Sequence, residues 1–249
     1  MQLTDMRALV TGAARGLGHH FVTELAQRGA RVVAGDVDGA GLRRLRENVP
    51  GVTAVIADVA VEASVRALVD TAHRTLGGID LLINNAGILR DGLLATRDTD
   101  GVRKLPLDLW QRVIDVNLTG AFLVAREVAA RMIADGRPGI IINISSLARS
   151  GNPGQSSYAA AKAGLDACTR TWALELAPYG IRVGGVAPGV IDTPIVHDIS
   201  AAAMRDLVAA IPLGRIGVPH EVWQAVELII ACDFFTGRTI ELDGGARMG

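Results

Sequence analysis

The chain has 249 residues, of which 49% are apolar and 20% are charged, and 25 basic against 26 acidic residues give a formal net charge of −1. This composition excludes a disordered chain, and the charge balance offers no basic surface of the kind that nucleic acids or anionic membranes require. Two cysteines are too few for a disulfide framework or a four-cysteine zinc site, and no two histidines have the HxxxH spacing. We therefore expect a folded protein in a reduced, cytosolic setting, with no nucleic-acid or membrane partner and with no metal site of these patterns.

The N-terminal residues do not have the layout of a signal peptide, because Asp5 and Arg7 interrupt the first apolar positions. The apolar runs elsewhere are much shorter than the roughly 18 residues of a membrane span. These features predict a soluble, cytoplasmic protein.

Short segments rich in β-branched residues alternate with longer helical patterns along the whole chain. The predicted strands are Ala8–Val10, Arg31–Asp36, Thr53–Ala57, Asp80–Asn84, Gly139–Ser145, Ile181–Ala187 and Arg238–Leu242. Consecutive apolar residues, as in Leu81–Ile83 and Ile140–Ile142, indicate strands that are buried on both faces. We expect an α/β fold in which residues 1–249 form a single domain. Its core would be a Rossmann-type doubly wound parallel sheet of about seven strands, with helices on both faces.

Two helices in the second half of the chain have distinctive faces. One, from Asp108 to Asp135, repeats apolar residues at three- and four-residue steps and carries Asn117 on that stripe. Its Leu123 and Val124 lie beside Phe122 and predict a second covering surface. The other helix, about Ser156 to Ala177, has a face of alanine and glycine that permits close packing on its own sheet or on a second subunit.

A glycine-rich turn follows the first strand, in the sequence Thr11-Gly12-Ala13-Ala14-Arg15-Gly16-Leu17-Gly18. Glycines between a strand and a helix let a pyrophosphate approach backbone N–H groups, although they also suit an ordinary tight turn. Asp36 ends the second strand, where an acid receives the hydroxyls of the adenosine ribose and repels a 2′-phosphate. Asp36 therefore favours NAD over NADP. Arg15 in the glycine turn argues for NADP, because its cation could bind the 2′-phosphate.

Four further motifs follow in order along the chain. They are Asn84-Asn85-Ala86-Gly87, Ser145, Tyr158-x-x-x-Lys162, and Pro188-Gly189 with Thr193. Together with the glycine turn they resemble the short-chain dehydrogenase/reductase family over nearly the whole chain. The resemblance implies an NAD(P)-dependent oxidoreductase that acts on CH–OH groups, and it implies a homotetramer.

The catalytic residues that the resemblance implies are Asn117, Ser145, Tyr158 and Lys162. Hydride delivery to a ketone needs a positioned proton donor, and the i,i+4 spacing puts Tyr158 and Lys162 on one helix face, where the cation would lower the phenol pKa. Ser145 is preferred to Ser146 because its spacing to Tyr158 is that of the family. Asn117 resembles the asparagine that holds a water linked to the lysine; the alternative is a plain bond to a neighbouring carbonyl.

The same resemblance assigns the remaining ligand contacts. The implied cofactor-binding residues are Gly12, Arg15, Gly16, Leu17, Gly18, Asp36, Asp58, Val59, Asn85, Ala86, Gly87, Tyr158, Lys162, Pro188, Gly189, Ile191 and Thr193. Substrate contacts are expected from Ser145, Leu147, Gln155 and Tyr158, with Arg149 and Asn152 nearby. A mobile apolar lid is expected after Thr193, from Ile195, Val196 and the helix Met204–Val208.

The insertion Leu93–Pro106 and the ending Asp243–Met248 resemble the branch that contains short-chain 3-hydroxyacyl-CoA and hydroxysteroid dehydrogenases. Arg97, Arg103 and Lys104 in the insertion are cations suited to CoA phosphates, unless the segment is only a solvated loop. The sequence thus predicts hydride transfer between NAD(H) and a 3-hydroxyacyl-CoA or another apolar hydroxy compound. The alternatives are an NADPH-dependent 3-oxoacyl-acyl-carrier-protein reductase and a catalytically silent nucleotide-sensing regulator.

Overall fold

The computed structural model describes residues 3–99, 101–194, 196 and 200–246. The strands are β1 (Arg7–Thr11), β2 (Arg31–Asp36), β3 (Thr53–Ile56), β4 (Leu81–Asn84), β5 (Ala95–Asp98), β6 (Gly101–Lys104), β7 (Gly139–Ile144), β8 (Ile181–Pro188) and β9 (Thr239–Leu242). The α-helices are α1 (Gly16–Gln27), α2 (Gly39–Asn48), α3 (Glu62–Leu76), α4 (Leu107–Ile114), α5 (Ala121–Ala134), α6 (Ser156–Leu176), α7 (Ala201–Ala209) and α8 (Pro219–Ala231). None of the helices in these ranges is long and apolar enough to cross a membrane.

Seven strands form one parallel sheet in the order β3-β2-β1-β4-β7-β8-β9, which confirms the predicted architecture. Each predicted strand agrees with the observed one to within one residue at either end. The chain order reverses between β1 and β4, and ligands of such sheets bind in the crevice outside the carboxyl ends of the strands at this switch point.

The core lies on both faces of the sheet, because neighbouring strand residues project to opposite sides. Val10 packs on one face with Phe21 of α1 and Trp223 of α8. Leu9 packs on the other face with Leu68 of α3 and Val124 of α5. The consecutive apolar strand residues are thus explained by helices above and below the sheet.

The predicted helix from Asp108 to Asp135 is α4 and α5 joined by a π-helical segment, Asp115–Gly120. One π turn adds a residue to the helical repeat and shifts the buried face of the residues that follow. The expectation that Leu123 and Val124 need a second cover is therefore wrong, because both are buried on the sheet. Phe122 is the exposed residue, and the Arg126 guanidinium lies over its ring.

The insertion, for which the sequence predicted a charged loop, forms an antiparallel hairpin, β5–β6. Its base is tied to the rest of the protein where Gly92 N–H donates to Gly154 O at 2.7 Å. A second bond, from Leu105 N–H to Leu94 O, closes the hairpin below the strands at 3.0 Å. These bonds fix the hairpin beside the segment that precedes α6.

Candidate active site

The predicted site residues gather at the carboxyl ends of β1, β2, β4, β7 and β8 and along one side of α6. Strand β1 runs into the glycine turn, β4 into Asn85, β7 into Ser145 and β8 into Gly189. The fold therefore brings segments that are far apart in sequence to the edge where the switch point creates a crevice.

The glycine turn has the backbone that a dinucleotide pyrophosphate needs. Gly12 and Gly16 have φ values of 64° and 56°, in the left-handed region that favours glycine. A Cβ on Gly12 would lie 2.7 Å from the Ala86 Cα, so the turn packs directly on the residues after β4. Helix α1 begins at Gly16 and directs its free N–H groups and positive dipole end into the crevice.

Asn85 and Thr11 hold this turn in position. The Asn85 amide donates to the backbone oxygens of Thr11 at 3.0 Å and of Gly12 at 2.9 Å. The Thr11 hydroxyl accepts from the N–H groups of Asn85 and Ala86. The Asn85 side chain is thus a brace for the turn, a role that the family resemblance did not state.

Asp36 lies at the end of β2 with its carboxylate turned toward the glycine turn. It accepts hydrogen bonds from Ala14 N–H and Asp38 N–H, each at 2.9 Å. Asp38 caps α2 by accepting from Ala40 and Gly41, and these bonds, led by the one from Gly41, lower the pKa of Asp38. Arg15 is exposed beside this pair of acids. The end of β2, where the sequence predicts the adenosine ribose, therefore carries two carboxylates.

The other predicted cofactor residues line the same edge. Asp58 is exposed with its carboxylate accepting from Ala60 N–H, while Val59 is buried against Gly120 of the π segment. Gly87 lies next to Asn117.

After β8, the backbone of Ile191 forms a bridge with Gly217, and the Thr193 hydroxyl donates to Ile191 O at 3.3 Å. A Cβ on Gly16 would find Thr193 Cβ at 3.8 Å. The loop after β8 therefore closes the crevice opposite the glycine turn. The two loops and the free end of α1 fit a dinucleotide.

Lys162 is buried one turn after Tyr158 on α6. Its ammonium donates to Ile144 O at 2.6 Å, and Nζ lies 5.6 Å from the centroid of the Tyr158 ring. Burial lowers the pKa of Lys162 to about 8. The lysine is therefore a cation held against a phenol with little solvent around it.

Burial raises the pKa of Tyr158, a hydrogen bond with Ser146 opposes that rise, and the charge of Asp91 adds to it. The sequence led us to expect a pKa lowered by Lys162, so the structure differs in direction because desolvation of the phenolate is the largest effect. Asp91, which spacing did not identify, follows the Asn84–Gly87 motif. Asp91 comes near Tyr158 because its carboxylate accepts a hydrogen bond from Gln155, and this contact between elements could not be predicted from the sequence.

The two serines after β7 project in different directions. Ser145 is buried, and its hydroxyl donates to the backbone oxygen of Lys162 at 3.2 Å. Ser146 is half-buried, accepts from Ala148 N–H at 3.2 Å and lies near enough to the Tyr158 phenol to oppose the rise of its pKa. The hydroxyl beside the phenol thus belongs to Ser146, where family spacing had favoured Ser145. The alternation of side chains at a strand end was the signal that spacing overlooked.

Asn117 is fully buried in the π segment, and both ends of its amide are bonded to one residue. Its oxygen accepts from Ile88 N–H at 2.8 Å and its nitrogen donates to Ile88 O at 2.9 Å. The amide therefore fastens the helix to the loop after β4. π segments of this kind are frequent at functional sites.

Only some of the residues expected near the substrate lie close to Tyr158. Gln155 accepts from Asn152 at 2.9 Å and donates to Asp91 at 3.2 Å, and Leu147 is half-buried in the short helical turn after Ser146. Arg149 is instead paired with Glu241 near Asp166, so its side chain serves the fold.

The helix of the expected lid is present as α7. Its Met204 and Val208 line an open groove of about 530 Å³ that continues along Ile211 and Pro212. Ile195 lies outside the described residues. The part of the expected lid that the structure describes therefore borders an apolar groove.

Comparisons with known proteins agree with this geometry. A family model described as "Enoyl-(Acyl carrier protein) reductase" matches residues 12–247. The chain is 41% identical to a 3-oxoacyl-acyl-carrier-protein reductase of Thermotoga maritima, over 98% of this chain and 99% of the relative. It is 40% identical to a cis-4-hydroxycyclohexanecarboxylate dehydrogenase of Sinomonas cyclohexanicum, over 96% and 95%.

A third relative, a (3R)-3-hydroxyacyl-CoA dehydrogenase of Canis lupus familiaris, is 36% identical over 100% of this chain and 98% of its own length. Matches of this extent cover the glycine turn, the Tyr-x-x-x-Lys pair and the loop after β8 together. The chain therefore belongs to the short-chain dehydrogenase/reductase family and is an oxidoreductase that acts on CH–OH groups with NAD(P)(H).

Proposed function

We propose that this enzyme transfers a hydride between NAD(H) and the 3-hydroxy or 3-oxo group of an acyl thioester. The observation that carries the chemical part is the Tyr158 phenol, which lies near the Ser146 hydroxyl and is followed one turn later by the buried Lys162. A bound nicotinamide would supply or accept the hydride, and the side chains would manage the proton and the charge on oxygen.

In the oxidation direction, Tyr158 as phenolate takes the hydroxyl proton of the substrate as the C–H hydride leaves. In reduction, the phenol returns that proton to the oxygen that receives negative charge. Ser146 would donate a hydrogen bond to the same oxygen and stabilise the alkoxide. The Lys162 ammonium favours the phenolate by its charge, and the Asn117 amide fixes the π segment behind it.

Asp36 and Asp38 support a preference for NAD. A 2′-phosphate at the end of β2 would meet the carboxylates of both residues. The N-terminus of α2, which is otherwise a site for an anion, is already occupied by the Asp38 carboxylate. Arg15 is a nearby cation for a phosphate, but it is exposed and screened by solvent.

The hairpin supports a charged, extended substrate. Residues on opposite strands share a face in the register Ala95 to Lys104 and Arg97 to Val102, so Arg97, Val102 and Lys104 stand together and are exposed. Arg103 projects from the other face and pairs with Asp98. Of the three cations that the sequence offered to CoA phosphates, the structure thus brings Arg97 and Lys104 together and ties Arg103 elsewhere.

The hairpin also lies close to the catalytic group. Asp91, which raises the pKa of Tyr158, bonds to Gln155, and Gly92 forms a bridge with Gln155. Exposed Leu93 and Leu94 follow directly. A thioester whose oxygen reaches Tyr158 would therefore have an apolar and then a cationic surface along its remaining length.

A second candidate substrate class is a small alicyclic hydroxy acid. It is favoured by the 40% identity to the cis-4-hydroxycyclohexanecarboxylate dehydrogenase. Such a substrate is too short to contact the hairpin. Turnover of an acyl thioester should therefore depend on Arg97 and Lys104, and turnover of the cyclic hydroxy acid should not.

The deciding experiment measures kcat/KM for acetoacetyl-CoA and 4-oxocyclohexanecarboxylate, each with NADH and NADPH. We expect the highest value for acetoacetyl-CoA with NADH. The double variant Arg97→Gln/Lys104→Gln should raise KM for acetoacetyl-CoA several-fold at low salt, in the range of exposed charge contacts. Arg103→Gln, on the other hairpin face, is the matched control and should change KM little.

Three results would contradict parts of this assignment. Acetoacetyl-CoA turnover far below that of the cyclic ketone would reject the thioester, and a higher kcat/KM with NADPH would reject NAD. A KM equally affected by the double variant and by Arg103→Gln would remove the hairpin from substrate binding.

A further inference from the structure

Three metal-ligating side chains meet between α1 and α8, outside the catalytic group. His20 and Glu24 stand one turn apart on α1, and His220 is near the start of α8. The Glu24 Oε1 atom is 3.3 Å from His20 Nε2 and 3.2 Å from His220 Nδ1. The ligand atoms of all three residues lie within 4.8 Å of one another.

The nitrogen of His20 that points into this group is buried and has no hydrogen-bond partner within the described part of the chain. Its approach to Glu24 lacks the geometry of a hydrogen bond, since only His220 completes one with that oxygen. A buried polar atom without a partner is costly, and a bound ion is one of the ways in which proteins satisfy it.

The second oxygen of Glu24 is held by Arg28. The Arg28 guanidinium lies over the Trp223 ring at 5.0 Å and also bonds Glu227 at 3.1 Å. These contacts orient the carboxylate so that Oε1 faces the two imidazoles, as outer-sphere partners do in metal sites. His220 is half-exposed, which leaves an approach for an ion and for water.

We propose that His20, Glu24 and His220 form a binding site for one divalent transition-metal ion, with Zn²⁺ as its best match. Tetrahedral Zn²⁺ with bonds of about 2.1 Å separates its ligand atoms by about 3.4 Å, close to the two distances from Glu24. Two imidazoles and one carboxylate are ligands that zinc accepts, and water would complete the coordination.

The ion would join two helices that border the cofactor crevice. Helix α1 begins at the glycine turn, and α8 follows the segment whose Gly217 pairs with the backbone of Val190 and Asp192. Zinc would stabilise the folded chain by linking these parts, independently of any turnover.

The experiment titrates ZnCl₂ into the tag-free full-length protein by calorimetry and follows Tm. We expect one zinc per chain and a Tm rise of about 5 °C or more at zinc about a hundredfold above Kd. Co²⁺ as a second probe should give the visible absorption bands of a tetrahedral site. His220→Ala should weaken binding at least about tenfold and reduce the Tm rise at the same zinc concentration to about half or less.

The control is His73→Ala. His73 pairs with Asp135 at 2.9 Å, and no third ligating side chain completes that pair among residues the structure describes. The proposal predicts unchanged zinc binding in this variant. It is overturned if the wild type binds no zinc saturably, or if His220→Ala binds zinc as the wild type does.

Discussion

Lys162 and Tyr158 lie one turn apart on α6, with the lysine Nζ 5.6 Å from the centre of the phenol ring and bonded to the carbonyl of Ile144. This bond fixes a cation near the phenol, where water is scarce. Burial acts against charge on both side chains, raising the pKa of Tyr158 and lowering that of Lys162 to about 8. Lys162 is therefore still charged at neutral pH, whereas burial opposes the phenolate form of Tyr158.

The position of Ser146 gives the first prediction. Ser146→Ala should lower kcat by about 10²-fold or more, because it removes a donor to the charged substrate oxygen. Ser145→Ala should have a smaller effect, since the Ser145 hydroxyl donates to the backbone oxygen of Lys162. Steady-state kinetics of both variants, with NADH affinity measured alongside, make the comparison. A larger loss of kcat in Ser145→Ala would restore the assignment that family spacing favoured.

The buried lysine predicts a rise in stability with pH. Below about pH 8 both the folded and unfolded states hold the Lys162 proton, and folding bears the full cost of a buried charge. Between about pH 8 and the ordinary lysine pKa near 10.4, the unfolded chain binds more protons, so its contribution to the free energy of unfolding increases with pH. Lys162→Met should lose this contribution.

The measurement is urea unfolding of both proteins at pH 7.5, 8.5 and 9.5. The difference between wild type and Lys162→Met isolates this residue from Cys168 and Tyr158, which titrate in or above the same range. A difference that stays constant with pH would contradict a lowered lysine pKa.

The carboxylate of Asp36 gives a prediction about the preference for NADH over NADPH. Asp36→Asn should narrow the preference for NADH over NADPH by about 5- to 150-fold, the range of typical coupling energies of 1–3 kcal/mol. Binding titrations of both cofactors to both proteins test this. A preference left unchanged by Asp36→Asn would show that Asp36 does not face the 2′ position.

The exposed faces of α5 and α6 predict assembly. Ala160, Ala163 and Ala167 form an exposed stripe of small residues on α6, and Phe122 and Leu174 are exposed large apolar residues. A second apolar patch is formed by Leu228 of α8 and Phe234. Two separate patches of this kind suit a tetramer with two kinds of two-fold interface. We expect a homotetramer by light scattering and a smaller species for Ala163→Glu; a monomeric wild type would refute this.

The sheet was predictable because each strand is a short apolar run between clear helical patterns, as at Leu81–Ile83. The buried face of each helix was harder to predict. The π segment around Asn117 changes which residues after it are buried, and no residue pattern indicated that segment. The hairpin Ala95–Lys104 was hidden by its charges, since both of its faces are largely exposed and carry no apolar alternation.

Some features of the candidate site could likewise be predicted from the sequence and others could not. Spacing along one element, as in Tyr158 and Lys162, was readable, whereas contacts between elements were not. The choice between Ser145 and Ser146 depends on the direction of neighbouring side chains after β7. The group of His20, Glu24 and His220 joins residues from opposite ends of the chain, and a search for histidine pairs alone missed it.

Tyr158→Phe provides the most direct test of the central claim, that the Tyr158 phenol transfers the proton while hydride moves between NAD(H) and substrate. The measurement is kcat for NADH-dependent reduction of acetoacetyl-CoA, or of whichever ketone the wild type turns over best, together with the Kd for NADH. Removal of a general acid should lower kcat by about 10²- to 10⁴-fold, while Kd for NADH should stay near the wild-type value. Retention of more than about a tenth of wild-type kcat, well above that range, would contradict the claim.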